Sequence, residues 1–127
     1  MNKAIFIGNL TRDPQLRSVN TPSGAASVCD LSIAINERRG TQTKTTYAQV
    51  TVWRAQAENC ARYLSKGKKI AAWGPVAAVP YQGRDGNWRA QLEMQAEEVK
   101  FLSGKSEAGG DVPEGMTQVE PPDDSPF

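Results

Sequence analysis

Residues 1–102 are predicted to form an all-β domain, a five-stranded barrel with one short helix between its third and fourth strands. Three observations predict it. Apolar residues recur with a period of two in several separate stretches, one stretch switches to a helical period, and turn-forming dipeptides separate the pieces. From Ser103 onward the composition changes to Gly, Pro, Ser, Asp and Glu, with Val112, Met116 and Val119 as the only sizeable apolar residues before the final Phe127. Such a segment buries too little surface to offset its ordering entropy, so residues 103–127 are predicted to be a disordered acidic tail.

The elements follow in order. Lys3 to Leu10 is a compact apolar strand ending in Gly8-Asn9. Asp13-Pro14 and Thr21-Pro22-Ser23-Gly24 read as turns or loops. Cys29, Leu31, Ile33 and Ile35 alternate with Asp30, Ser32, Ala34 and Asn36, which predicts a half-buried second strand. Arg38 to Lys44 is polar and is expected to be a mobile loop. Thr45 to Trp53 is the third strand. In Ala55 to Lys66, residues Ala57, Cys60, Ala61 and Leu64 fall on one helical stripe, and Gly67 supplies the stop. Lys68 to Tyr81 and Trp88 to Leu102 are the last two strands, joined at Gly83-Arg84-Asp85-Gly86, where Asp-Gly is a hairpin signal. Five strands with a helix between the third and fourth are the order of an OB-fold barrel.

Several function classes are excluded or disfavoured. The chain has no histidine, so Ser-His and Cys-His nucleophile systems are absent, and its acids form no paired pattern; no enzyme is expected. Cys29 and Cys60 lie far apart with no CxxC spacing, so neither a metal site nor a cofactor is implied, and two lone thiols suit a reducing cytoplasm. No apolar run is long enough for a membrane span, and the first ten residues are unlike an export signal.

Charge is divided along the chain. Up to Leu102 there are 14 Lys and Arg against 8 Asp and Glu, a net +6. Beyond it Lys105 stands against six acids, a net −5, which together give the overall +1. A basic domain with an acidic arm suggests a polyanionic ligand and a separate interaction segment.

The third strand holds the most informative constellation. Alternate strand residues share a face, so Ala48, Val50 and Val52 form an apolar inner row. Tyr47, Gln49, Thr51 and Trp53 then face outward, with the two rings about 20 Å apart at ~3.3 Å per residue. Large rings on a hydrophilic face suit stacking on unpaired bases, every one of which has a π-face. The alternative is packing against a neighbouring loop or a second subunit. Tyr81, beside the hairpin turn, is a third platform or else a cross-strand partner of Trp88. Trp73 reads as core or subunit interface. Among the scattered basic residues, Lys3, Arg17, Arg54, Arg84 and Arg89 are the leading phosphate contacts, whereas Lys66, Lys68 and Lys69 equally complement the helix dipole. At the far end Phe127 offers an apolar anchor beside the charges of Asp123 and Asp124, a combination suited to a small pocket rimmed by Arg or Lys.

These residues resemble a known family. Asn2-Lys3-Ala4-Ile5-Phe6-Ile7-Gly8-Asn9-Leu10-Thr11-Arg12-Asp13-Pro14 is similar to the opening of bacterial single-stranded DNA-binding proteins. Val52-Trp53-Arg54, Ala57-Glu58-Asn59 and Tyr63-Leu64-Ser65-Lys66-Gly67 resemble their third strand and helix, and Asp123-Asp124-Ser125-Pro126-Phe127 their acidic tip. The resemblance implies an OB fold, usually a homotetramer, that binds single-stranded DNA with little sequence preference in replication, recombination and repair. It also implies a cytoplasmic, nucleoid-associated protein whose tip, Asp123, Asp124, Pro126 and Phe127, recruits replication and repair proteins. The family's stacking positions correspond to Tyr47, Trp53 and Tyr81. A further aromatic of the family falls near Arg39 and is absent, and Ser125 replaces a hydrophobic residue before Pro126. The short tail points to a paralogue or a mobile-element version.

Overall fold

A computed structural model describes residues 1–103, so the readings on the tail and on its tip, Asp123, Asp124, Pro126 and Phe127, lie outside the described residues. The described residues form eight strands and one helix: β1 (Ala4–Leu10), β2 (Gln15–Thr21), β3 (Gly24–Arg39), β4 (Gln42–Trp53), α1 (Arg54–Tyr63), β5 (Lys69–Gly74), β6 (Val76–Gln82), β7 (Trp88–Gln95) and β8 (Glu98–Phe101). They form one sheet in the order β6-β7-β4-β3-β1-β5-β8, with β2 added on β3. Every pairing is antiparallel except β4 with β7.

This is the expected all-β, OB-type architecture, with its helix between the strands read as third and fourth. The ladder does not close end to end, because β6 and β8 are its last strands. The sheet curls instead, since β5 runs into β6 across Gly74-Pro75 and β7 into β8 across Ala96-Glu97. Backbone bonds bind the two kinks together: Gln95 N–H donates to the Pro75 carbonyl (3.0 Å) and Glu97 N–H to the Trp73 carbonyl (2.8 Å). Each of the two long C-terminal strands is therefore two strands.

Two stretches differ from expectation. Gln15–Thr21, where no strand was expected, pairs along β3 from Gln15↔Asp30 to Thr21↔Gly24. Its side chains are mostly exposed, so it carries no apolar alternation to announce it. Arg38 to Lys44 is not a loop. β3 and β4 stay paired to Arg39↔Gln42 and reverse at Gly40-Thr41, with Gly40 at φ +62°. Backbone pairing extends this ribbon past the core, where polar side chains remain in water. The helix also stops earlier than predicted: Leu64 is extended, and Gly67 (φ +92°) lies beyond the end, donating its N–H to the Leu10 carbonyl at 2.9 Å.

The core joins Leu31, Ile33, Val50, Val52, Ile70, Met94 and Val99 with Ala57, Cys60 and Leu64 from the helical segment. Ala48, Val50 and Val52 are buried as their parity requires. Burial pushes the Cys29 thiol up to about 11, aided by Asp30, and the Cys60 thiol up to about 12. Both stay protonated and inert at neutral pH. Among the described residues, no helix is long and apolar enough to cross a membrane.

Gly74 marks the tightest backbone approach. A Cβ there would collide with the carbonyl oxygen of Gln95, a backbone atom fixed by the kink. Gly74→Ala is expected to destabilise the fold by about 1–3 kcal/mol, the range for overpacking a close-packed site. Thermal denaturation against an Arg38→Ala surface control checks this, and an unchanged melting temperature would remove the kink from its structural role.

Candidate nucleic-acid interface

Strand register brings the aromatic residues together. β4 lies between β3 and β7, and β7 in turn pairs with β6. Residues directly opposite on neighbouring strands share a face. Tyr47 is opposite Ala34, Gln49 opposite both Ser32 and Glu93, and Thr51 opposite both Asp30 and Gln95. On β7, Glu93, Gln91 and Arg89 share one parity, and Arg89 is opposite Tyr81. Tyr47, Trp53 and Tyr81, from two non-adjacent strands, therefore occupy one outer face.

The three rings differ in environment. Tyr47 is 67% exposed and Tyr81 43% exposed. Trp53 is half-buried: its Nε1–H donates to Gln95 Oε1 at 2.9 Å, and the Arg54 guanidinium carbon lies 5.9 Å from the ring centroid. Trp53 is thus anchored, whereas the tyrosines are open. Arg54 starts α1 at φ +61°, a conformation costly for a side chain with a Cβ, and the only positive-φ non-glycine among the described residues. That turn sets its guanidinium against the tryptophan instead of continuing the strand.

Tyr81 has Arg89, not Trp88, as its cross-strand partner; Trp88 faces Gln82 and is 72% exposed. Trp73 is not core. It sits half-buried on the outer side of β5, opposite Ile5 of β1 and Glu98 of β8, with Lys100 Nζ 6.0 Å from its ring centroid. Ile5 and Ile7, on the same face of β1, are exposed, so an apolar strip lies away from the tyrosines.

A groove of about 600 Å³ opens beside the tyrosines, lined among others by Thr11, Arg12, Ser32, Tyr47, Gln49 and Tyr81. The expected basic residues are distributed unevenly around it. Arg17 is held by Asp30 (2.7 Å), which raises its pKa further through a hydrogen bond and charge. Arg89 is held by Asp85 (2.7 Å), whose carboxyl is kept below its ordinary value by the Asn87 N–H and by Arg89. Lys3 pairs with Glu97 at 2.9 Å, beside the strand kink and outside the groove lining. Arg54 and Arg84 make no ion pair among the described residues. Arg12, one of many scattered basic positions in the sequence, lines the groove without an ion-pair partner there. Nothing in its local pattern distinguished it. Arg39, at the end of β3, pairs with Glu37 at 3.5 Å.

One polar residue escapes a reading by pattern alone. Ser32, placed by parity on the outer face, is only 9% exposed, because it is covered from both sides. Its hydroxyl accepts from Gln49 Nε2 at 2.8 Å, and its carbonyl accepts from the Thr11 backbone N–H at 2.9 Å. The signal was a serine in a strongly apolar strand, but its partners come from β4 and from the residues after β1.

Comparison with known proteins supplies the family. Residues 1–102 match the single-strand binding protein family. The chain is 38% identical over 104 residues to single-stranded DNA-binding protein 2 of Clostridium acetobutylicum, covering 80% of this chain and 77% of that one. It is 38% identical over 111 residues to single-stranded DNA-binding protein 1 of the same organism, covering 85% and 99%. Against the single-stranded DNA-binding protein of Neisseria meningitidis serogroup A it is 37% identical over 118 residues, covering 89% and 66%. The family is one of binding proteins, not enzymes, and with a match across its whole barrel this chain belongs to the single-strand binding protein family.

Proposed function

We propose that this protein binds single-stranded DNA with little sequence preference and protects it during replication, recombination and repair, within the cytoplasm and on the nucleoid. The observation that carries the reading is the register that aligns Tyr47, Trp53 and Tyr81 on one outer face beside a groove. Unpaired bases stack on the rings, while duplex bases have no free face to offer. Arg54, Arg84 and Arg12 take phosphates directly, and Lys3, Arg17 and Arg89 do so by exchanging a carboxylate partner for a phosphate.

Stacking contributes about 1–3 kcal/mol per base, a magnitude established on single-stranded DNA-binding barrels of this kind and taken as given. Each neutralised phosphate adds a salt slope of about −0.7. Quenching of tryptophan fluorescence by oligo-dT at two salt concentrations measures both. Trp53→Ala and Tyr47→Ala are each expected to weaken binding by about 1–3 kcal/mol at either salt concentration. Arg54→Ala should instead flatten the salt dependence by about 0.7. Undiminished affinity after joint replacement of Tyr47, Trp53 and Tyr81 would overturn the stacking assignment.

The domain, residues 1–102, is proposed to work as a homotetramer with at least one contact through the strip of Ile5, Ile7 and Trp73. Two exposed isoleucines beside a half-buried tryptophan suit a second copy of the same sheet face. Sedimentation of Ile5→Lys/Ile7→Lys is expected to show a smaller assembly than the parent chain, and an unchanged mass would place the contact elsewhere.

Residues 103–127 are proposed to recruit replication and repair proteins through Asp123, Asp124, Pro126 and Phe127. The support is the sequence itself, an apolar ring beside two carboxylates. Removing Pro126 and Phe127 should abolish capture of such partners and leave oligo-dT affinity nearly intact. Loss of both together would instead assign the tip to DNA binding.

A further inference from the structure

Trp88 takes no part in the stacking surface described above. It opens β7, is 72% exposed, and its Nε1–H donates to nothing among the described residues. Its cross-strand partner is Gln82, whose side-chain amide is bonded to the Gly86 carbonyl at 2.9 Å. The hairpin turn is tied without the indole. Gly83 N–H donates to the Asn87 carbonyl at 2.8 Å, and Asp85 is held by Arg89 and by the Asn87 N–H. Folding therefore leaves this ring without a use.

The groove leads to it. β4 pairs with β7 only from Ala48↔Leu92 to Thr51↔Gln95, so on the far side of Leu92 the β3–β4 and β6–β7 ribbons separate. Residues of both parities line the groove at this point: Tyr47 and Gln91 from the outer face, Ala48, Ala90 and Leu92 from the other. The groove is thus a cleft between the two ribbons, running from the face of Tyr47 and Tyr81 to the opposite one. Trp88 lies on that opposite face, two residues from Ala90 and about 7 Å along at ~3.3 Å per residue.

The surroundings of Trp88 decide what covers it. Pro80, Gln82 and Ala90 share its face and are all exposed, so no sizeable apolar side chain continues the patch that a protein partner would need. Arg84, at the turn, makes no ion pair among the described residues, and Asp85 is already neutralised by Arg89. A lone ring beside an unopposed cation suits an unpaired base and its phosphate.

We infer that Trp88 is a further base-stacking platform, reached by a strand that passes through the cleft from Tyr47 and Tyr81 to the other face of the β6–β7 hairpin. It is none of the three stacking positions that the family resemblance implies. The inference rests on the proposed single-strand binding and extends the path of the strand beyond the outer face.

The test titrates the full chain with oligo-dT and follows affinity, tryptophan emission and sedimented mass together. Trp88→Ala is expected to weaken binding about fivefold or more, the equivalent of ~1 kcal/mol or more for one lost stack, with mass and melting temperature unchanged. Trp88→Phe keeps a flat ring and should retain most of the affinity. It also gives a sign that a structural role does not imitate. With a base over Trp88, removing that indole lowers the fraction of emission quenched by oligo-dT; with Trp88 bare, removing an unquenched emitter raises it. A raised fraction, or unchanged affinity in Trp88→Ala, would overturn the platform. A smaller sedimented mass would also overturn it, by assigning Trp88 to a subunit contact. Each of these results leaves the face of Tyr47, Trp53 and Tyr81 standing. Failure of the parent chain to bind oligo-dT at all would instead overturn single-strand binding itself.

Discussion

The β3–β4 ladder is the constraint on which the rest depends. Its register runs unbroken from Val28↔Trp53 to Arg39↔Gln42 and decides which residues of β4 face inward. Ala48, Val50 and Val52 fill the core because of it, and Tyr47, Gln49, Thr51 and Trp53 face outward for the same reason. A slip by one residue would exchange the two sets, sending aromatic rings inward and valines into water. The hydrophobic driving force that packs the barrel is therefore also what presents the proposed stacking surface. The parallel pairing of β4 with β7 carries the same parity across to Tyr81.

Electrostatics on this face are quieter than the number of basic residues suggests. Three of the five leading cations already hold carboxylates, Arg17 with Asp30, Arg89 with Asp85 and Lys3 with Glu97. These pairs are solvent-exposed, and exposed pairs contribute little to stability. Their proposed value lies in exchange, since a cation can pass from a carboxylate to a phosphate without first being stripped of all partners. The proposed interface accordingly relies more on rings than on charge.

Two strand kinks give the domain its separate faces. Because Gly74 admits the Gln95 carbonyl against its backbone, the two C-terminal strands bend together and the sheet curls around one core. The curl turns β3, β4, β6 and β7 toward the groove and leaves β1, β5 and β8 with their own outer surface, where Ile5, Ile7 and Trp73 lie. One small sheet in this way carries both the aromatic face proposed for a strand and the apolar face proposed for another subunit.

Local patterns alone determined much of this protein. Period-two alternation in Cys29–Ile35 and Thr45–Trp53, and the helical stripe of Ala57, Cys60 and Leu64, identified the core elements, because burial against one face imposes those periods. Side-chain parity likewise separated Tyr47 and Trp53 from the core. Elements held by backbone pairing rather than by burial were not legible: Gln15–Thr21 and the outer ends of β3 and β4 expose their side chains and so leave no hydrophobic pattern. Only the tertiary structure decided that Trp53 is anchored on Gln95, that Arg89 and not Trp88 faces Tyr81, and that Ser32 is buried against Gln49. Each of these depends on contacts between residues distant in the chain. Register and curvature create such contacts, and no local periodicity encodes them.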